Sequence, residues 1–237
     1  MKVRVGTSGY AYREWKGSFY PKTIAGTAML PFYAARFDAV EINASFYTPP
    51  EAKTVAAWAA QAPAGFSFAL KAPQKITHFS RLKGVGAPVR AFLRAAAALG
   101  GKQGPLLFQL PPNMKKDLRR LKALLRLLPP KLKVAMEFRH ASWLDDEVYA
   151  ALRAANVALC IAHDEKGQTP LVPTATFGYV RLRDAHYTGP ELVQWAATIR
   201  RQPWRQAWVF FKHEDTGRGP KLAARMHAWL YEDDSRR

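Results

Sequence analysis

The residues best suited to chemistry close short apolar runs, and several do so two positions apart. Glu41 and Asn43 end VEIN, Glu137 and Arg139 end MEFR, and Arg181 and Arg183 end YVRLR. In an extended chain, residues two apart project from the same face, so each pair would present both side chains together. Lys71 and Gln109 end two further runs, His163 and Asp164 follow another, and Lys212, His213 and Glu214 close the last. Glu41, Glu137 and Asp164 are the candidates for general acid or base work. Lys71, Arg139, Arg181, Arg183 and Lys212 outnumber those acids, and arginine's planar fork suits phosphate or carboxylate. The expected ligand is therefore a phosphorylated or otherwise anionic small molecule, and the expected reaction is hydrolysis of a phosphoester. An ion pair between Glu41 and Lys71 would be the purely structural use of two of these groups.

A divalent metal, Zn²⁺ or Mn²⁺, is the competing chemistry. His78, His140, His163 and His213, with the nearby carboxylates, are the right kinds of ligand, and His163, His213 and Glu214 are the metal candidates. No HExxH or paired CxxC fixes a ligand set, and Lys71, Arg139 and Arg181 would repel a cation. Anion binding, with His78 and His140 as hydrogen-bonding groups, is preferred. Aromatic rings could stack on a planar ligand, and Tyr10, Tyr47 and Trp143 are the candidates, whereas Trp15, Phe19 and Phe46 read as packing for long loops. Ser8, before Gly9, reads as part of a tight turn, and Cys160, inside an apolar run, as core. No nucleophile elbow, phosphate-binding glycine loop or Ser-His-Asp arrangement is readable.

The elements that would position these groups alternate. Strands are predicted at 2–6, 39–43, 66–71, 105–110, 133–138, 157–162, 177–183 and 207–212, and helices at 29–37, 51–61, 86–99, 115–128, 145–155, 189–201 and 220–231. Between 164 and 177, Pro170 and Pro173 argue against a helix, so the sixth crossover should be irregular. Eight strand–helix units in 237 residues fit an α/β fold, a single (β/α)8 TIM barrel spanning 1–237, with its chemistry at the C-terminal ends of the strands. An open doubly wound sheet fits less well, because the TSGYAY loop lacks spaced glycines.

The chain carries 36 Lys and Arg against 18 Asp and Glu, a formal charge of +18. Almost all of the excess lies before residue 136, much of it in KKDLRRLKALLRLLPPK. There Leu118, Leu121, Leu125 and Leu128 mark one helix face and Lys115, Arg119, Lys122 and Arg126 another. A solvated outer face is the plainer use of that stripe; a non-catalytic nucleic-acid-binding protein is the alternative, and a sugar or sugar-phosphate isomerase a third. One cysteine excludes a disulfide framework, and no apolar run reaches the length of a membrane span or signal segment. A soluble cytoplasmic protein with no membrane partner is expected.

Taken in order, GTSGYAYREWKGSFYP, VEINASFYTPP, LKAPQKITH, LLFQLPP, EFRHASW and YVRLR resemble the motifs of the YecE-like family, domain of unknown function 72, over nearly the whole chain. The resemblance implies a TIM barrel and no assigned activity. Its motif positions include Tyr10, Glu41, Asn43, Tyr47, Lys71, His78, Gln109, Glu137, Arg139, His140, Trp143 and Arg181. The chain departs from the family pattern at Arg183 and at Lys212 and His213, which makes its strand ends more cationic.

Overall fold

The computed structural model describes residues 1–184, 186–212 and 217–231. Its strands are β1 (Lys2–Ser8), β2 (Ala39–Ile42), β3 (Ser67–Lys71), β4 (Gln103–Gln109), β5 (Val134–Glu137), β6 (Ala158–Asp164), β7 (Gly167–Gln168), β8 (Phe177–Leu182) and β9 (Gln206–Phe211). Apart from β7, all are parallel, in the order β5-β4-β3-β2-β1-β9-β8-β6, and pairing of β5 with β6 closes the ring. This is an eight-stranded (β/α)8 TIM barrel, and every barrel strand falls within two residues of its predicted run. The helices are α1 (Gly26–Ala34), α2 (Ala44–Tyr47), α3 (Ala52–Gln61), α4 (Gly86–Ala97), α5 (Leu118–Leu125), α6 (Asp146–Ala154), α7 (Gly189–Arg200) and α8 (Arg218–Tyr231). None is long and apolar enough to cross a membrane.

Alternation along the strands divides the core in two. Outward positions such as Val5, Val40, Leu70, Phe108, Met136, Ile161, Val180 and Val209 pack in one large apolar cluster with helix residues such as Val89, Leu121, Leu152 and Met226. Inward positions form a second cluster, with alanines at 39, 69, 135 and 158 facing the larger Phe177, Tyr179, Trp208 and Phe210 of β8 and β9. The rings occupy the space that the alanines leave, so the interior is filled rather than open. Gly6 lets β1 and β2 approach, because a Cβ there would overlap the Ala39 carbonyl. In the same gap Tyr33 Oη accepts from the Thr7 amide at 2.7 Å and donates to Ala39 O at 3.0 Å.

The crossover from β6 to β8 is irregular, as the prolines predict. It folds back as the two-residue antiparallel β7 and is anchored by Thr174, whose Oγ1 donates to Val157 O and accepts from the Leu159 amide, both at 2.7 Å. The predicted helix 115–128 is shorter. Asp117 caps α5 by accepting from the Arg120 amide at 3.0 Å, which leaves Lys115 ahead of the first turn. Leu121 and Leu124 form its buried face, while Lys115, Arg119, Lys122 and Arg126 are exposed. The sequence reading missed α2, the hairpin at β7 and a π-type turn at Lys75–Phe79, which is followed by left-handed residues Arg81 and Leu82.

Candidate functional site

Above the ring of alanines and aromatics, the next inward positions are polar. Ser8 ends β1 in register with Glu41 of β2, and Gln109 of β4 lies in register with Glu137 of β5. Arg181, on β8, crosses the interior to both acids. Its Nη2 donates to Glu41 Oε1 at 2.8 Å and its Nη1 to Glu137 Oε2 at 2.6 Å. All three side chains are buried. Glu41 is further held by Ser8 Oγ and Tyr179 Oη, each donating at 2.6 Å. Arg183 and Arg139 approach Glu137 Oε1 at 3.5 and 3.6 Å, and Arg183 also pairs with Asp164 at 3.1 Å.

This arrangement changes what the carboxylates can do. Burial alone would raise the Glu137 pKa, but Arg181, Arg183 and Arg139 outweigh it and hold the group at about 2. Burial likewise opposes ionisation of Glu41, and Arg181, Ser8 and Tyr179 overcome it, so its pKa is lowered. Both acids are anions tied to one guanidinium. That is a poor state for a group that must give up or take a proton near neutrality.

Beside this network lies a pocket of about 370 Å³, at the end of β1 and β2, with the side chains of Lys71 and Lys212 in its wall. Its other walls are mainly aromatic, from Tyr10, Tyr12, Tyr47 and Trp58, with Asn43 between them. Tyr47 is largely exposed and forms the rim. The Asn43 Oδ1 atom is buried with no partner among the described residues. Lys71 does not pair with Glu41, since Arg181 takes that carboxylate; its Nζ lies 4.0 Å from the centre of the Phe46 ring. Burial and the nearby Arg181 lower the Lys71 pKa to about 8. His78 also packs edge-on against Phe46, at 4.8 Å, and shares a hydrogen bond with Thr77 Oγ1 at 2.9 Å.

The structure thus brings together Glu41, Glu137, Arg181, Arg139 and Asp164 with the neutral Gln109 as a polar layer, and Tyr10, Asn43, Tyr47, Lys71 and Lys212 as a pocket wall. It places other expected residues elsewhere. Trp143 is fully buried, stacked on Phe138 at 4.9 Å, with its Nε1 donating to Met114 O at 2.7 Å, so it is a core pillar rather than a ligand platform. His140 serves locally, its Nδ1 accepting from the Ser142 amide at 3.2 Å as a cap on the turn Ala141–Trp143. His163 points outward from β6, bonded to Tyr187 Oη at 2.5 Å and packed on Trp195 of α7, away from the barrel interior. His213 and Glu214 lie outside the described residues, and among those described no three His, Cys, Asp or Glu side chains are grouped to hold a metal ion. Ser8 belongs to β1 rather than to a turn. Tyr179 was missed, although its spacing of two from Arg181 puts both on one strand face.

The sequence model of the family DUF72, described as a protein of unknown function, matches residues 4–236. The chain belongs to the DUF72 family. It is 29% identical over 159 residues to the UPF0759 protein YunF of Bacillus subtilis (strain 168), a match covering 62% of this chain and 54% of YunF. The chain thus spans about half the length of that curated relative. Among solved structures, a DUF72 family protein from Thermotoga maritima MSB8 superposes with a TM-score of 0.81 at 23% identity, covering 97% of this chain and 99% of that one. A DUF72 family protein from Enterococcus faecalis V583 gives 0.80 at 18% identity, over 96% and 95% of the two chains. These likenesses establish the barrel as the DUF72 fold.

Proposed function

We propose that this DUF72 protein binds a small phosphorylated or otherwise anionic molecule in the pocket walled by Lys71 and Lys212. The observation that carries the reading is the placement of two lysines in one aromatic-walled pocket, while Glu41 and Glu137, the carboxylates near Lys71, are already bound to Arg181. A ligand entering there meets cationic groups and ring faces together, a combination suited to an anion joined to a planar or apolar part. For a phosphoester, Lys71 and Lys212 would stabilise charge on the phosphoryl oxygens. Glu41 and Glu137 would act by fixing Arg181 rather than by transferring protons. The single buried Cys160 suits a reducing, cytoplasmic setting.

Phenyl phosphate, which unites an anion and a ring, is the probe that tests this reading. Calorimetric titration at low salt should show binding that weakens roughly tenfold or more in Lys71→Met and in Lys212→Met, the loss expected of a hydrogen bond to a charged group. Equal affinity in the wild type and both variants would overturn it. A second reading, binding of nucleic acid without catalysis, rests on the exposed stripe Lys115, Arg119, Lys122 and Arg126 and involves the outer surface instead of the pocket.

A further inference from the structure

We propose that Lys71 is a nucleophilic lysine that condenses with the carbonyl of an anionic aldehyde or ketone, forming an imine inside the pocket. The inference rests on the proposed anion-binding role of that pocket and names the class of compound it would receive. Among the described residues, the Lys71 amine makes no hydrogen bond or ion pair, and it lies over the face of Phe46. A lysine that served the fold as a counter-ion would be bonded to a carboxylate, and here both neighbouring carboxylates are taken by Arg181.

The backbone beneath the amine is fixed. Ser45 Oγ shares its one proton between Lys71 O at 2.7 Å and Ile42 O at 2.9 Å, and the Ala72 amide donates to Leu107 O at 2.8 Å. The charges facing Lys71 come from every side: Arg181 of β8, Lys212 after β9, Glu41 of β2, Glu137 of β5 and His78 of the π-type turn. Burial and Arg181 are the leading influences on its amine and both favour the neutral form, bringing the pKa to about 8. With that value, the neutral fraction at pH 7 is roughly 300 times that of an ordinary lysine. The His78 pKa is lowered too, by burial and then by Lys71 and Arg139, so the imidazole beside the same Phe46 ring is held in its neutral form.

The step balances without an added reagent. The neutral amine attacks the carbonyl carbon, a C–N bond forms as the carbonyl π pair moves onto oxygen, and one nitrogen proton passes through solvent to that oxygen to give a neutral carbinolamine. The proton released earlier from the Lys71 ammonium protonates the hydroxyl, water departs as the nitrogen lone pair forms the C=N bond of an iminium ion, and attack by water reverses the sequence. The Asn43 side chain, with its Oδ1 unpartnered, lines the pocket as a polar group able to orient the hydroxyl.

The test uses glycolaldehyde phosphate and uncharged glycolaldehyde as probes, each with cyanoborohydride to reduce any imine to a stable amine. Peptide mass mapping then compares Lys71 with Lys53, whose side chain is 86% exposed. At pH 7 Lys71 should be modified at least tenfold faster than Lys53, and the adduct at position 71 should vanish in Lys71→Arg. The advantage of the phosphorylated over the uncharged probe should be lost in Lys212→Met. Modification of Lys71 no faster than that of Lys53 would overturn the proposal. If phenyl phosphate binds but Lys71 is not preferentially modified, the imine fails and the anion site stands. If both aldehydes modify Lys71 equally and phenyl phosphate does not bind, the nucleophilic lysine stands, and the anionic class of its partner fails together with the anion reading.

Discussion

Arg181 Nη1 lies 2.6 Å from Glu137 Oε2, although the two residues sit on strands that do not neighbour each other in the barrel. With Glu41 bound to the same guanidinium, three buried charges depend on one another. Removing the cation strands two carboxylates, whereas removing all three charges strands none. Arg181→Met should therefore destabilise the protein by roughly 3–5 kcal/mol in urea unfolding. The triple variant Glu41→Gln, Glu137→Gln, Arg181→Met should recover part of that loss. Equal destabilisation in the single and triple variants would show that the charges are not coupled.

The same network sets an acid limit. Glu137 titrates at about 2 in the folded protein, below its ordinary value of 4.5. Its stabilising contribution is complete above pH 4.5 and disappears as pH falls through about 2. The stability difference between the wild type and Glu137→Gln should be constant from pH 7 to 5 and shrink below 4.5. Chemical denaturation at a series of pH values measures it.

Lys71 behaves in the opposite range. Its folded pKa of about 8 lies below the ordinary 10.5, so between these values the unfolded chain binds the extra proton. Stability attributable to Lys71 therefore rises with pH from about 8 to 10.5. Relative to Lys71→Met, the wild type should gain stability across that interval, and a flat difference would mean that the amine is not desolvated.

Tyr47 and Trp143 should separate cleanly. Tyr47→Ala alters an exposed rim and should change stability by less than about 0.5 kcal/mol while weakening phenyl phosphate binding. Trp143→Phe removes the bond to Met114 O and should cost about 1 kcal/mol while leaving that binding unchanged. The opposite pattern would return Trp143 to the ligand site.

The basic stripe makes a separate prediction. Duplex DNA bound through Lys115, Arg119, Lys122 and Arg126 should lose affinity steeply with salt, and changing all four to Gln should flatten that slope without altering phenyl phosphate binding. A fluorescence-anisotropy salt series decides it; DNA affinity that ignores these four residues would sink the second reading.

Much of this was legible in the chain because a strand has a period of two. That period put Glu41, Glu137 and Arg181 on inward faces, and alternation of strands with helices gave the barrel. It could not say which charge meets which, since Arg181 reaches β2 and β5 only once the ring closes. Adjacency of β2 and β3 instead suggested Glu41 with Lys71, but Arg181, whose planar fork serves Glu41 and Glu137 at once, takes that carboxylate. Trp143 and His140 failed for a related reason. A polar or aromatic residue just past a strand end has the same local pattern whether its loop turns over the mouth or tucks beneath it. His163 was misplaced by a single position, because its even-numbered neighbours face inward and it does not.

The Arg181 bonds also bear on whether the barrel could be halved. They join residues 140 and 44 positions apart, so the first five strands hold two carboxylates whose shared guanidinium is encoded only in β8, the seventh barrel strand. A fragment ending after Glu137 would have to hydrate or protonate both acids in the middle of its apolar surface. Separately expressed halves should consequently be useless as stable modules yet complement each other when mixed. In this molecule the joining of the two half-circles and the discharge of its interior are the same event.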